Sequence, residues 1–179
     1  MGQFKAFAQG VEVNGETVLS VVDGLGTFKR QAYSILEANG IKDPQPGQWY
    51  PQQKWLDSFK AIAEKLGSST LYVIGSKIPS NAKFPPEIDS IEKALAAIDI
   101  AYHMNHRGGD IGVYKFAQTG PRSATIECRN PYPCDFDSGI IESMAKRFKP
   151  AGAFIRIEHD KSKDCRGKGA ESCTYAISW

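Results

Sequence analysis

The stretch from Ser90 to Arg129 reads SIEKALAAIDIAYHMNHRGGDIGVYKFAQTGPRSATIECR, and the periodicity of the chain changes within it. Ser90 precedes Ile91, Leu95, Ile98 and Tyr102, which fall on one stripe at roughly 100° per residue, so a capped helix is expected. His106 continues that stripe, His103 lies on its flank, and Gly108 and Gly109 are placed to end the helix. Beyond them, Ile111–Gln118 and Ser123–Arg129 read as strands, with Thr119-Gly120-Pro121-Arg122 as the hairpin turn between them.

The flanking sequence extends this division. Residues 3–14 carry short alternations that suit an extended arm, and Asn14 can cap a helix bearing Val18, Leu19, Val21 and Val22. After Gly24 and Gly26, a second helix carries Phe28, Ala32, Ile35 and Leu36 to Gly40. Pro51 suits the first turn of a helix that places Trp55, Phe59, Ile62 and Leu66 on one face. Ser68 or Ser69 would cap a short helix bearing Leu71, Ile74 and Ile78, and Pro79, Pro85 and Pro86 would hold the next connection open. Downstream, Asp137 or Ser138 is placed to cap a helix with Ile140, Ile141, Met144 and Phe148, and Ala153–His159 and Cys173–Trp179 supply two more strands. The last strand alternates Cys173, Tyr175, Ile177 and Trp179 on a face expected to look inward. Helices first and strands last predict an α+β fold, with N-terminal helices packed on a C-terminal, mainly antiparallel sheet of about four strands. A single domain over 1–179 is expected.

With 179 residues the chain can bury a core without disulfide help. A net charge of +2 carries too little field for a nucleic-acid footprint. The start lacks the apolar run of a signal peptide, and no stretch approaches a membrane span. A cytoplasmic protein with reduced cysteines is the expectation, and its four cysteines then suggest metal, redox chemistry or buried thiols.

Three of those cysteines lie late in the chain, beside turn-forming residues. Cys134, Cys165 and Cys173 are candidates for zinc ligands, with His159 or Cys128 as the fourth. Cys128 shares a strand face with Ala124 and Ile126, as a buried core thiol would. His103 and His106 are spaced so that both can approach one site on a helix, where a neutral imidazole can ligate a haem iron. Arg129 and Tyr132 can meet an anionic group on a ligand, or merely belong to a proline-shaped connector. No catalytic residue is assigned: the serine-hydrolase elbow, the P-loop, the zinc-protease helix and the dinucleotide fingerprint are all absent.

The end of the chain resembles the vinyl-4-reductase domain family, whose members are small-molecule-binding sensor modules. Cys165, Gly169, Cys173 and Tyr175 fit its closing pattern, and Cys134 and Gly139 resemble its earlier cysteine and helix start. Trp49-Tyr50-Pro51 before a helix, and the Ile91–His106 helix before the sheet, are similar too. The same superfamily holds Golgi transport-particle subunits and the haem nitric-oxide/oxygen-binding domains. In the haem domains a histidine on the helix before the sheet ligates the iron, which points to His103 or His106. Their Tyr-x-Ser-x-Arg motif, which holds the haem propionates, is replaced here by Ile126-Glu127-Cys128-Arg129-Asn130, leaving Arg129 as its remnant.

The resemblance implies a non-enzymatic sensor with an apolar pocket between helices and sheet, binding a small apolar or tetrapyrrole ligand and passing the signal to a partner protein. The cofactor stays open between haem and zinc, and a homodimer stays open too. The alternatives are a haem-based gas sensor with His103 as axial ligand, an enzyme acting on a tetrapyrrole or other apolar ligand, and a protein-interaction module.

Overall fold

The Ser90 hydroxyl accepts a hydrogen bond from the Lys93 amide at 3.2 Å and opens helix Ile91–Met104, whose Ile91, Leu95, Ile98 and Tyr102 are buried. The structure is a computed structural model that describes residues 2–179, so Met1, where the expected domain begins, lies outside them. In chain order the elements are β1 (Glu12–Asn14), α1 (Gly15–Val18), α2 (Ser20–Leu25), α3 (Lys29–Ala38), β2 (Trp49–Pro51), α4 (Gln52–Leu66), α5 (Ser69–Asn81), α6 (Ile91–Met104) and β3 (His106–Arg107). The second half holds β4 (Val113–Gly120), β5 (Ser123–Arg129), α7 (Cys134–Phe148), β6 (Arg156–His159) and β7 (Cys173–Ser178).

The fold is α+β, as the sequence predicts. The main sheet is antiparallel with strand order β4-β5-β7-β6, and a small second sheet has the order β2-β1-β3. The register of β7 sets its inner face: Cys173 lies opposite Cys128 on β5, and Tyr175 lies opposite His159 on β6. Cys173, Tyr175, Ile177 and Trp179 are all buried, while Ala176 and Ser178 are exposed. Helices α6 and α7 pack on that inner face, and one continuous apolar core joins them to α2–α5. No helix of the described residues is long and apolar enough to cross a membrane.

Several boundaries differ from the sequence reading. Pro51 is the cap of α4 and not its first residue, because it is still paired in β2. Pro79 lies inside the last turn of α5, so that helix is longer than expected. Helix α6 stops at Met104, and the next residue to pair is His106, in β3. Helix α7 starts at Cys134 after an extended Pro133, three residues ahead of the expected cap, which leaves Asp137 inside the helix and fully buried.

Helices α5 and α7 pack nearly backbone to backbone. A Cβ on Gly139 would stand 2.2 Å from the Tyr72 carbonyl oxygen, and one on Gly75 would stand 2.2 Å from that of Phe136. Only glycine permits this approach, and it fixes where the first turn of α7, with Cys134, meets the sheet.

Candidate metal centre and ligand cavity

Each sulfur of the cysteine cluster is placed by a different local device. Cys134 is the first residue of α7, so the helix start sets the direction in which its side chain leaves the backbone. Cys165 caps a single 3-10 turn at Arg166–Lys168. That turn closes through Gly169 at φ 92°, a left-handed conformation suited to glycine, and the Ala170 amide donates back to the Cys165 carbonyl at 3.2 Å. Cys173 opens β7, and the Tyr175 hydroxyl donates to the Cys134 carbonyl at 2.7 Å, tying strand to helix.

These devices bring the three thiols together. Cys134 Sγ lies 3.3 Å from Cys173 Sγ and 3.6 Å from Cys165 Sγ, and the Cys165–Cys173 separation is 3.7 Å. His159, at the end of β6, stacks its ring on Tyr175 at 4.9 Å and completes a group whose ligand atoms all lie within 4.8 Å of one another. A tetrahedron with metal–sulfur bonds of about 2.3 Å has edges of about 3.8 Å, close to the observed sulfur separations. His159 Nε2 is buried and has no hydrogen-bond partner, a state that costs about 1–3 kcal/mol unless something binds it. The donor set therefore fits a zinc ion.

The electrostatics point the same way. Cys173 is pushed down to about 4, first by the hydrogen bond from Cys134 and then, against burial, by the Arg166 amide and guanidinium. Cys134 is raised by the same bond and by burial. Cys128 is not part of the group. It is fully buried one strand away, and burial keeps its thiol protonated.

A second feature lies between α6, α7 and the sheet. A cavity of about 30 Å³ is lined by His106, Tyr102, Tyr114, Tyr132, Phe84 and Ile140 among others. His106 Nδ1 is 2.9 Å from the Tyr102 carbonyl, which can only accept, so Nδ1 carries the proton. Nε2 then accepts from the Tyr132 hydroxyl at 2.6 Å, and that hydroxyl accepts from Gln52 Nε2 at 3.4 Å. Burial lowers the His106 pKa to about 4, so the ring is neutral at physiological pH. Around this end of the cavity Thr17 Oγ1, Gln52 Oε1 and Trp55 Nε1 are buried without partners.

The four residues expected to hold a cofactor separate into two groups. His106 and Tyr132 line the cavity together. His103 does not join them: one turn of helix turns it outward, where Nδ1 meets the Asp99 carbonyl at 2.9 Å and lies near its carboxylate. Arg129 also lies elsewhere, paired with Asp110 at 3.3 Å and set over the Phe7 ring. Haem does not fit these residues as they stand. The cavity holds about one or two waters, His106 Nε2 is engaged by Tyr132, and no lysine or arginine among the described residues lines the walls.

The sequence reading missed a buried polar group beneath the cysteines. Asp137 accepts from Arg166 Nη2 and, at 2.6 Å, from the Tyr114 hydroxyl. Arg166 Nη1 donates to the Asn130 carbonyl and side-chain oxygen. Asp137 is raised by burial and pulled back by Arg166 and Tyr114. The sequence signal for it is an arginine between two candidate ligands, Cys165 and Cys173.

No family model matches the chain, and no curated protein matches it either. Solved structures do. An H-NOX protein from S. oneidensis in the Fe(II)NO ligation state aligns with TM-score 0.70 at 15% identity, covering 92% of this chain and 98% of that one. A mutant of T. tengcongensis H-NOX aligns with TM-score 0.62 at 16% identity, covering 92% and 96%. A Cs H-NOX mutant gives 0.64 at 14%, covering 92% and 95%. At these identities the likeness is one of fold.

Proposed function

We propose that this chain is a small-molecule-binding sensor module, one domain in extent, clamped by a zinc ion on Cys134, His159, Cys165 and Cys173. The observation that carries this reading is the convergence of three thiols and an unpartnered, buried imidazole nitrogen from separate parts of the chain. Three sulfurs and one nitrogen suit zinc, and a site closed by four protein ligands is structural in character. The vinyl-4-reductase-like pattern at Cys165, Gly169, Cys173 and Tyr175 supports the same reading.

The cavity beside His106 is the ligand site in this reading. Its walls are apolar, and its polar end offers the imidazole Nε2, the Tyr132 hydroxyl and the unpartnered Thr17 hydroxyl. These suit a small apolar molecule bearing one hydroxyl or carbonyl group, which would replace the His106–Tyr132 hydrogen bond. Entry requires the walls to part. Since α5, α6 and α7 all contribute to them, ligand binding would shift helix packing, which a partner protein would read. No catalytic group is needed.

Haem-based gas sensing is the second reading, favoured by the likeness to H-NOX structures. It would require His106 to leave Tyr132 and the cavity to widen many-fold, with His103 uninvolved.

An absorption spectrum with metal analysis of the purified full chain separates the two. One zinc per chain and no Soret band is the expected result. A Soret band after haemin addition, lost in His106→Ala, would instead establish the second reading.

A further inference from the structure

Arg166 is held at both ends by groups that matter to different sites. Its backbone N–H donates to Cys173 Sγ at 3.2 Å, and its neighbour in sequence is Cys165. Its side chain is 1% exposed and reaches the Asn130 carbonyl, Asn130 Oδ1 and Asp137. From there two short paths run to the cavity. Asn130 Oδ1 accepts from the Tyr132 amide at 2.9 Å, and Tyr132 carries the hydroxyl that meets His106. Asp137 accepts from the hydroxyl of Tyr114, whose ring forms part of the cavity wall.

We propose that Arg166 is a positioning residue that links the cysteine–histidine site to the cavity, so that metal occupancy sets the placement of Tyr132 and Tyr114. The inference rests on the zinc reading above and adds regulation of the cavity to it. A metal on Cys165 and Cys173 pins the turn between them, and the guanidinium leaves that turn with its direction fixed. The planar fork then holds Asn130 and Asp137 in one geometry. Without the metal the turn loses two of its anchors, and Arg166 loses its aim. By linkage, a ligand that prefers the metal-loaded arrangement of Tyr132 raises metal affinity by the same factor that the metal raises its own. An apolar pair of equal volume would fill the same space and often stabilise as well. It would not transmit the position of the cysteine turn to two residues of a cavity.

The test uses the full chain and Zn²⁺ alone. Ring resonances of His106 and Tyr132 are recorded with Zn²⁺ bound and after chelation, in wild type and in Arg166→Lys, which keeps the charge but not the fork. Chelation should move both signals in wild type, and Arg166→Lys should bind one zinc yet show at most a third of that shift. Equal shifts in the two proteins, or none in wild type, overturn the proposal. If Arg166→Lys does not fold, amide exchange in wild type decides. The Tyr132 amide should exchange at least tenfold faster after chelation, while the Thr17 amide, which donates to Asn14 Oδ1 at 3.0 Å, keeps its protection. Equal loss at both amides, or at neither, overturns it. A wild type that binds no zinc removes the metal reading itself, and the coupling with it, whereas zinc without the shift removes only the coupling.

Discussion

His106 Nε2 and the Tyr132 hydroxyl are 2.6 Å apart across the polar end of the cavity, and the hydroxyl donates to the ring only while the ring is neutral. Protonation would put a second donor at Nε2, facing a hydroxyl that must then turn away, inside a space without counter-charge. The folded pKa of about 4 lies below the ordinary 6.5, so the folded protein binds fewer protons than the unfolded chain. The stabilisation is complete above pH 6.5 and is lost as pH falls toward 4. Urea unfolding should show about 2 kcal/mol less stability from this group at pH 5 than at pH 8. His106→Gln, whose amide can still accept from Tyr132, should lack that share of the pH dependence. Identical pH profiles for the two proteins would refute the assignment.

The metal site makes separate demands on four residues. Cys134→Ser, Cys165→Ser or Cys173→Ser should each weaken zinc binding at least a hundredfold in competition with a chromophoric chelator. His159→Ala should weaken it tenfold or more. Cys128→Ala should retain one zinc per chain, because that thiol is outside the group. Cobalt in place of zinc should give a sulfur-to-metal charge-transfer band that weakens with each lost cysteine. A Cys128 variant that lost the metal would show that the fourth ligand had been misassigned.

The Arg166–Asp137 pair is buried on both sides, at 1% and 0% side-chain exposure. Asp137→Asn leaves a guanidinium in the core facing a neutral amide. A loss of about 3–5 kcal/mol in the zinc-loaded protein is expected. By contrast, Asp89→Asn breaks a solvent-exposed pair with Lys93 and should leave the denaturation midpoint where it was. Equal effects would mean that the buried pair is not what holds this corner together.

The contact of Gly139 with Tyr72 predicts a cost for a single methyl. Gly139→Ala would force α5 and α7 apart, for about 1–3 kcal/mol, because the obstacle at 2.2 Å is a backbone oxygen and not a movable side chain. Ser138→Ala, one residue away and not facing that oxygen, serves as the control. Thermal unfolding of the pair gives the comparison, and a Gly139→Ala melting point equal to the control would show that the helices can slide.

The sequence by itself determined the elements and their faces. Ser90 before an apolar stripe, the Gly120-Pro121 hairpin and the alternation from Cys173 to Trp179 are local patterns, set by helical turn and strand pleat. Each needs only neighbours within a few positions. Convergence of Cys134, Cys165 and Cys173 was legible as well, since an antiparallel pairing leaves few places for a strand end and a helix start.

What only the tertiary structure decided depends on register and on contacts distant in sequence. The pairing of β6 with β7 puts His159 opposite Tyr175 and within reach of the thiols, while Cys128, opposite Cys173, stays outside the ligand group. Helix α6 ends two residues before His106, so His103 and His106 diverge despite sharing a helical spacing in sequence. Asp137 reads as a helix cap until Pro133 starts the helix earlier and carries it to Arg166, 29 residues on. A carboxylate is stable in such a place only because a guanidinium arrives from another part of the chain, and no local pattern encodes that meeting.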